Sequence, residues 1–128
     1  MELESFNTIT IDTSALENNY RAIVTLAGER IPVMAMVKAD GYGHGMVQAA
    51  QTFSRAGCNV FGVAEIGEAV VLRGAGIPGE IYVTIGFSAA CAPLFFEHQL
   101  TPVVYNQAQA LALSQEAKAR NTEIGIHI

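Results

Sequence analysis

Pro32–Gly45 reads PVMAMVKADGYGHG, a short apolar run that ends on one lysine and opens into a glycine-rich turn. Val33, Met34, Ala35, Met36 and Val37 are enough residues for a strand, and their unbroken apolar character predicts one buried on both faces, as in a parallel sheet. Lys38 then stands where that strand emerges, with Gly41, Gly43 and Gly45 freeing the backbone just beyond it. An amine at the mouth of an apolar layer sheds part of its hydration, which favours its nucleophilic form. Such a group suits a Schiff base with a carbonyl cofactor such as pyridoxal phosphate. The same spacing also suits a lysine that packs its stem and keeps its charge in water, with the glycines serving as a generic strand-to-helix connection.

Outward from this stretch, apolar runs alternate with amphipathic segments. Upstream, Ser14-x-x-Glu17 has the capping-box pattern, and Leu16, Tyr20, Ile23, Val24 and Ala27 share one helical face before Gly28. Downstream, a helix is predicted over His44–Ala56, a strand over Val60–Val63 and a helix over Gly67–Ala75. A third strand follows at Ile81–Ile85, then a helix from Ser88 or Ala89 to His98, and a fourth strand at Thr101–Val104. Asn106 caps an alanine-rich helix, and Glu123–Ile128 begins a fifth strand; an additional strand is placed near Thr8–Ile11. Strand exits near Lys38, Ala64, Ile85 and Tyr105 fall 20 to 26 residues apart, the beat of repeated βα units with right-handed crossovers. A doubly wound open sheet would also satisfy five parallel strands, although no G-x-G-x-x-G follows the first. A closed TIM barrel needs eight such units in roughly 250 residues.

Composition narrows the function. Half of the 128 residues are hydrophobic (51%), so a sizeable core is possible. Twelve acidic against seven basic residues give a net charge of −5 with no basic block, which argues against nucleic acid or an anionic membrane as partner. Cys58 and Cys91 lie far apart, without C-x-x-C or clustered histidines; they read as two buried free thiols in a reducing compartment, with no metal site. The polar N-terminal stretch MELESFNTITID lacks an apolar core segment, and no run approaches the ~20 apolar residues of a membrane span. The expected location is the cytoplasm.

Val37–Gly45, VKADGYGHG, closely resembles the cofactor-lysine signature of alanine racemases, pyridoxal-phosphate enzymes built on a TIM-type barrel. Thr10–Ile23, TIDTSALENNYRAI, and Val63–Gly86, VAEIGEAVVLRGAGIPGEIYVTIG, fit the same family in the same order. The resemblance implies an α/β chain forming a partial TIM-type (β/α)8 barrel of pyridoxal-phosphate fold type III. It would hold about the first five βα units, with residues 1–128 as the N-terminal part of the barrel domain. The remaining barrel and a C-terminal β-domain would lie outside the sequence.

What the resemblance implies for the site is specific. Lys38 matches the lysine that holds pyridoxal 5'-phosphate and moves a proton at the substrate Cα on one face, as catalytic and cofactor-binding residue. Tyr42 matches the tyrosine whose hydroxyl contacts the cofactor phosphate, its alternative being a turn aromatic packed over the barrel mouth. Gly41 departs from the alanine common there. The opposite-face base, a tyrosine reaching across a homodimer, and two cofactor-binding arginines have no match among these residues. The implied reaction is interconversion of L- and D-alanine for peptidoglycan synthesis, with the isolated residues inactive. Rivals are a serine or broad-specificity racemase of the same fold, a non-catalytic pyridoxal-phosphate homeostasis module, or an assembly piece whose unpaired edges self-associate.

Other polar residues read more quietly. Asp40 caps the following turn or pairs with a cation, and His44 serves structurally at a helix start. Glu97 and His98 are neighbours on a helix and do not face each other. Thr84 and Ile85 stand near a strand exit, and His127 points either into the barrel or out to a helix.

Overall fold

A computed structural model describes residues 6–28 and 30–128; the Met1–Ser5 part of the polar N-terminal stretch lies outside them. Helix α1 (Thr13–Ala27) begins where Asp12, in an extended conformation, accepts a hydrogen bond from the Ala15 amide at 3.0 Å. That replaces the expected Ser14 box: a carboxylate at the N-cap satisfies an orphan N–H and also meets the positive end of the helix dipole. Glu17, inside the helix, pairs with Arg21 at 2.7 Å instead.

Four parallel strands follow, β1 (Ala35–Met36), β2 (Val60–Val63), β3 (Glu80–Val83) and β4 (Thr101–Pro102). Helices α2 (Met46–Arg55) and α3 (Ile66–Gly74) connect the first three. A 3₁₀ turn at Ala89–Cys91 leads into α4 (Ala92–Glu97), whose Pro93 fits a first turn, and α5 (Gln107–Ala119) follows β4, capped by Asn106 as expected. The spatial order is β1-β2-β3-β4, identical to the chain order. A doubly wound sheet must reverse direction at a switch point. This sheet winds one way only, as an arc of a TIM-type barrel does.

Main-chain pairing continues past β4. Val103 and His127 form a parallel bridge, with Val104 N–H donating to the His127 carbonyl at 2.7 Å and His127 N–H to the Pro102 carbonyl at 3.0 Å. The fifth strand expected over Glu123–Ile128 is present as this single bridge. The Thr8–Ile11 segment is not a strand; Ile9 is 83% exposed, and an extended segment without a neighbour has no ladder to join.

Residues of one sheet face alternate into the helical layer. Phe61, Val63, Ile81 and Val83 are fully buried against Ala50, Leu72, Phe95 and Leu113. Each large side chain so buried contributes roughly 1.5–3 kcal/mol. The opposite face is less covered, so β1 departs from the expectation of two buried faces. Ala35 and Val37 are buried, whereas Met34 remains 37% exposed, because an arc of four strands places no far wall opposite its inner side. An ideal Cβ on Gly62 would sit 2.2 Å from Met36 Sδ and 2.9 Å from Met34 Sδ, so the glycine makes the room that these thioethers fill. Cys58 is buried and Cys91 only partly so, both free. Among the described residues no helix is long and apolar enough to cross a membrane.

Candidate active site at the C-terminal rim of the sheet

Strand register decides which side chains look inward. Met36 pairs with Gly62, Gly62 with Tyr82 and Tyr82 with Thr101, so these four share the inner face. Two residues beyond Met36, past Val37 where the chain leaves the strand, Lys38 is half-buried at the C-terminal rim. Working groups of TIM-type barrels gather at this end.

Past Lys38 the backbone does something that three glycines do not explain. The turn Lys38–Tyr42 carries Ala39, Asp40, Gly41 and Tyr42 through consecutive left-handed conformations, with φ of 51°, 53°, 63° and 55°. Three of the four have a Cβ, at about 1–2 kcal/mol each. The turn survives because a network of hydrogen bonds holds it. Gly41 N–H donates to the Val37 carbonyl at 2.9 Å, and Gly43 and Gly45 N–H both donate to the Asp40 carbonyl. Asp40 Oδ1 accepts from the Met46 amide at 2.9 Å, and this bond starts α2 two residues later than the expected His44. His44 Nδ1 lies 2.9 Å from the Gly41 carbonyl, closing the same turn. The structural readings of Asp40 and His44 are therefore the ones the geometry supports. Gly41 is buried, and a Cβ there would press on Ala49 Cβ at 3.3 Å.

The left-handed turn folds Tyr42 back toward the amine. Lys38 Nζ sits 6.0 Å from the Tyr42 ring centroid, at the outer limit of a cation–π contact, and the ring is 60% exposed. Ion pairs among the described residues join Glu17 to Arg21 and Arg120 to both Glu97 and Glu116; Lys38 takes part in none. A half-buried primary amine free of a carboxylate, beside a phenol open to solvent, is a donor set that fits an aldehyde carrying a phosphate.

The remaining candidates separate. Thr84 Oγ1 donates to the Val63 carbonyl at 2.8 Å, extending the β2–β3 ladder, while Ile85 is 60% exposed at the rim. His127 stands edge-on to Tyr82, ring centroids 4.8 Å apart, which places it on the inner face. Glu97 pairs with Arg120. Two residues that spacing did not single out organise the rim. Gln109, buried on α5, accepts from the Tyr105 amide at 2.8 Å and donates to the Phe87 carbonyl at 3.0 Å, and the Tyr105 hydroxyl donates to the Thr84 carbonyl. Glu68, at the start of α3, accepts from Ala39, Ala64 and Glu65 amides. Its position three residues after Glu65 at a helix start is a capping-box spacing, the one signal by which it was legible.

The family model described as alanine racemase, N-terminal domain, matches residues 11–128. The chain belongs to this family. It is 46% identical over 109 residues to an alanine racemase of Pectobacterium carotovorum, covering 84% of this chain and 29% of that protein. An alanine racemase of Azoarcus is 40% identical over 122 residues, covering 94% and 34%. Among solved structures, the crystal structure of alanine racemase from E. faecalis superposes with a TM-score of 0.85 at 34% identity, covering 92% of this chain and 32% of that one. The chain spans about a third of the length of the curated relatives it matches. The alanine racemase N-terminal domain fold accounts for the singly wound parallel arc and for the partial TIM-type barrel expected from the sequence.

Proposed function

We propose that residues 1–128 are the N-terminal part of the barrel domain of a pyridoxal-phosphate-dependent isomerase that interconverts L- and D-alanine. In this reading the complete enzyme is a cytoplasmic homodimer supplying D-alanine for peptidoglycan synthesis. The observation that carries the proposal is the Lys38 amine, half-buried at the strand end, unpaired with any carboxylate among the described residues and set in a locked turn. The likeness to alanine racemases supports alanine as the substrate.

Lys38 would hold the cofactor through its amine, and Tyr42 would meet the phosphate with its hydroxyl. The chemistry supplied by the bound cofactor is electron withdrawal from the substrate Cα, which stabilises the charge left when its proton departs. Lys38 Nζ would remove or return that proton on one face. The left-handed turn limits where Nζ travels, since the backbone bonds on both sides of Lys38 fix its Cα. The proton on the opposite face is handled by a group from outside these residues, so the isolated 128 residues do not racemise alanine.

The test is borohydride trapping of the full-length polypeptide with pyridoxal phosphate, followed by peptide mass spectrometry. Reduced label on Lys38 is the expected outcome, with Lys38→Ala giving no label there and no measurable racemisation. Label on another lysine of a folded protein overturns the assignment.

A further inference from the structure

The last regular bond between β1 and β2 joins Val37 N–H to the Gly62 carbonyl at 2.9 Å. In a parallel ladder the next two would join Ala64 N–H to the Val37 carbonyl and Ala39 N–H to the Ala64 carbonyl. Neither forms: Ala39 has left the strand for φ 51°, ψ 54°, the Val37 carbonyl accepts from Gly41 N–H, and the Ala64 carbonyl accepts from Ile85. Glu68 takes their place. One carboxylate oxygen accepts from Ala39 N–H at 2.7 Å, and the other accepts from Ala64 N–H at 2.8 Å and Glu65 N–H at 3.1 Å. A single side chain thereby ties the residue after Lys38 to the end of β2 and the first turn of α3.

We infer that Glu68 is a positioning residue for the Lys38 amine. Lys38 has two backbone neighbours, and each is fastened to the β2 side of the site: Val37 through the ladder, Ala39 through Glu68. With both held, the direction of the Lys38 Cα–Cβ bond is fixed, and only side-chain torsions are left to move Nζ. Without the carboxylate, the Ala39 amide loses this partner and the turn loses its tie to β2 and α3, so the Cα–Cβ vector drifts. Misplacement of a reacting group by about 1 Å costs as much as 100-fold in rate. Glu68 touches neither cofactor nor substrate in this account; it acts through Lys38.

The inference rests on Lys38 being the cofactor lysine, and the experiment separates the two claims. In the full-length polypeptide, Glu68→Gln, Glu68→Asp and Glu68→Ala are compared with the parent in three readouts. These are the rate of attachment of pyridoxal to Lys38 by absorbance and borohydride trapping, amide exchange at Ala39, and melting temperature without cofactor. Pyridoxal lacks the phosphate, so the rate reports the amine and not phosphate affinity. Glu68→Gln keeps the side-chain volume but offers one acceptor oxygen; it is expected to slow attachment about 10-fold and speed exchange at Ala39 while the melting temperature stays near the parent's. Glu68→Asp, shorter by one methylene, is expected to lie with Glu68→Gln, and Glu68→Ala to be slowest; if that variant does not fold, the other two decide. Attachment within two-fold of the parent in folded Glu68→Gln and Glu68→Asp overturns the positioning role while leaving the Lys38 assignment standing. A parent that attaches pyridoxal elsewhere overturns both.

Discussion

Helix α3 (Ile66–Gly74) carries a polar device at each end, and the two ends of the sheet differ in what those devices hold. At the C-terminal rim, Glu68 gathers three N–H groups around a turn strained into left-handed conformations. At the N-terminal rim, Arg73 donates to four carbonyls, those of Ile77, Gly79, His98 and Gln99, at 2.8–3.1 Å. The guanidinium fork suits four acceptors converging from two loops, which a single ammonium cannot imitate. No carboxylate is needed, and burial lowers the Arg73 pKa from its ordinary value. The lower rim is thus a closed staple between the loops that feed β3 and β4. The upper rim is an open scaffold around one amine. Barrels separate stability from chemistry in this way, bottom against top.

Glycine substitutions would break that contrast most sharply. Gly79 and Gly43 both hold positive φ, 77° and 86°. An ideal Cβ on Gly79 falls 2.1 Å from the Asn59 carbonyl oxygen, whereas one on Gly43 meets nothing within 4 Å. Gly79→Ala must therefore displace a backbone carbonyl that also accepts the Glu80 amide at 2.9 Å. Its expected cost is about 3 kcal/mol in urea denaturation of the protein, against about 1 kcal/mol for Gly43→Ala, where only the left-handed conformation is penalised. Equal costs at the two sites would show that the lower rim is no more closely packed than the upper one.

Arg73 comes next in size. Arg73→Ala leaves several loop carbonyls without their charged donor and is expected to cost about 2 kcal/mol, water replacing part of the loss. Arg73→Lys should recover less than half, because one ammonium cannot span both loops. The comparison is sharpened by trapping: neither variant should alter the fraction of label found on Lys38 in protein that remains folded. A change in labelling would mean that the lower rim communicates with the upper one.

Much of this organisation was legible in the residues, and the reasons are specific. Val60–Val63 appears with the boundaries read from its apolar run, and Asn106 caps α5 as its position suggested. Both depend on neighbours in sequence. β1 is shorter than its five apolar residues, Ala35–Met36 rather than Val33–Val37; at its far end the chain leaves the strand at Val37 (φ −123°, ψ 15°), which hydrophobicity does not report. The left-handed turn was hidden for a related reason. Gly41, Gly43 and Gly45 announced freedom, but Ala39 and Tyr42 carry no local preference for positive φ and Asp40 only a modest one; the hydrogen bonds of Glu68, Asp40 and His44 impose it. Lys38 and Tyr42 were visible as residue types in a pattern, while the residue holding their backbone lies 29 positions from Ala39 along the chain.

The smallest expected effect concerns a phenol on the stability side of the contrast. Tyr20 on α1 packs its ring against Phe53, centroids 5.8 Å apart, beside Cys58, whose thiol reaches the Val60 carbonyl at 3.1 Å. Burial pushes the Tyr20 pKa from 10.0 up to about 12, and the neighbouring Cys58 thiol adds to the shift. Since the folded state raises this pKa, it favours the neutral phenol, and the unfolded chain ionises first as the solution turns alkaline. The resulting stability is fully present below pH 10 and is lost as pH climbs toward 12. Tyr20→Phe removes the titration while keeping the ring against Phe53. The melting temperature of the parent should therefore fall more steeply than that of Tyr20→Phe between pH 10 and 12, with the two curves parallel below pH 10. Equal slopes across the alkaline window would assign the loss to other groups and place Tyr20 in water.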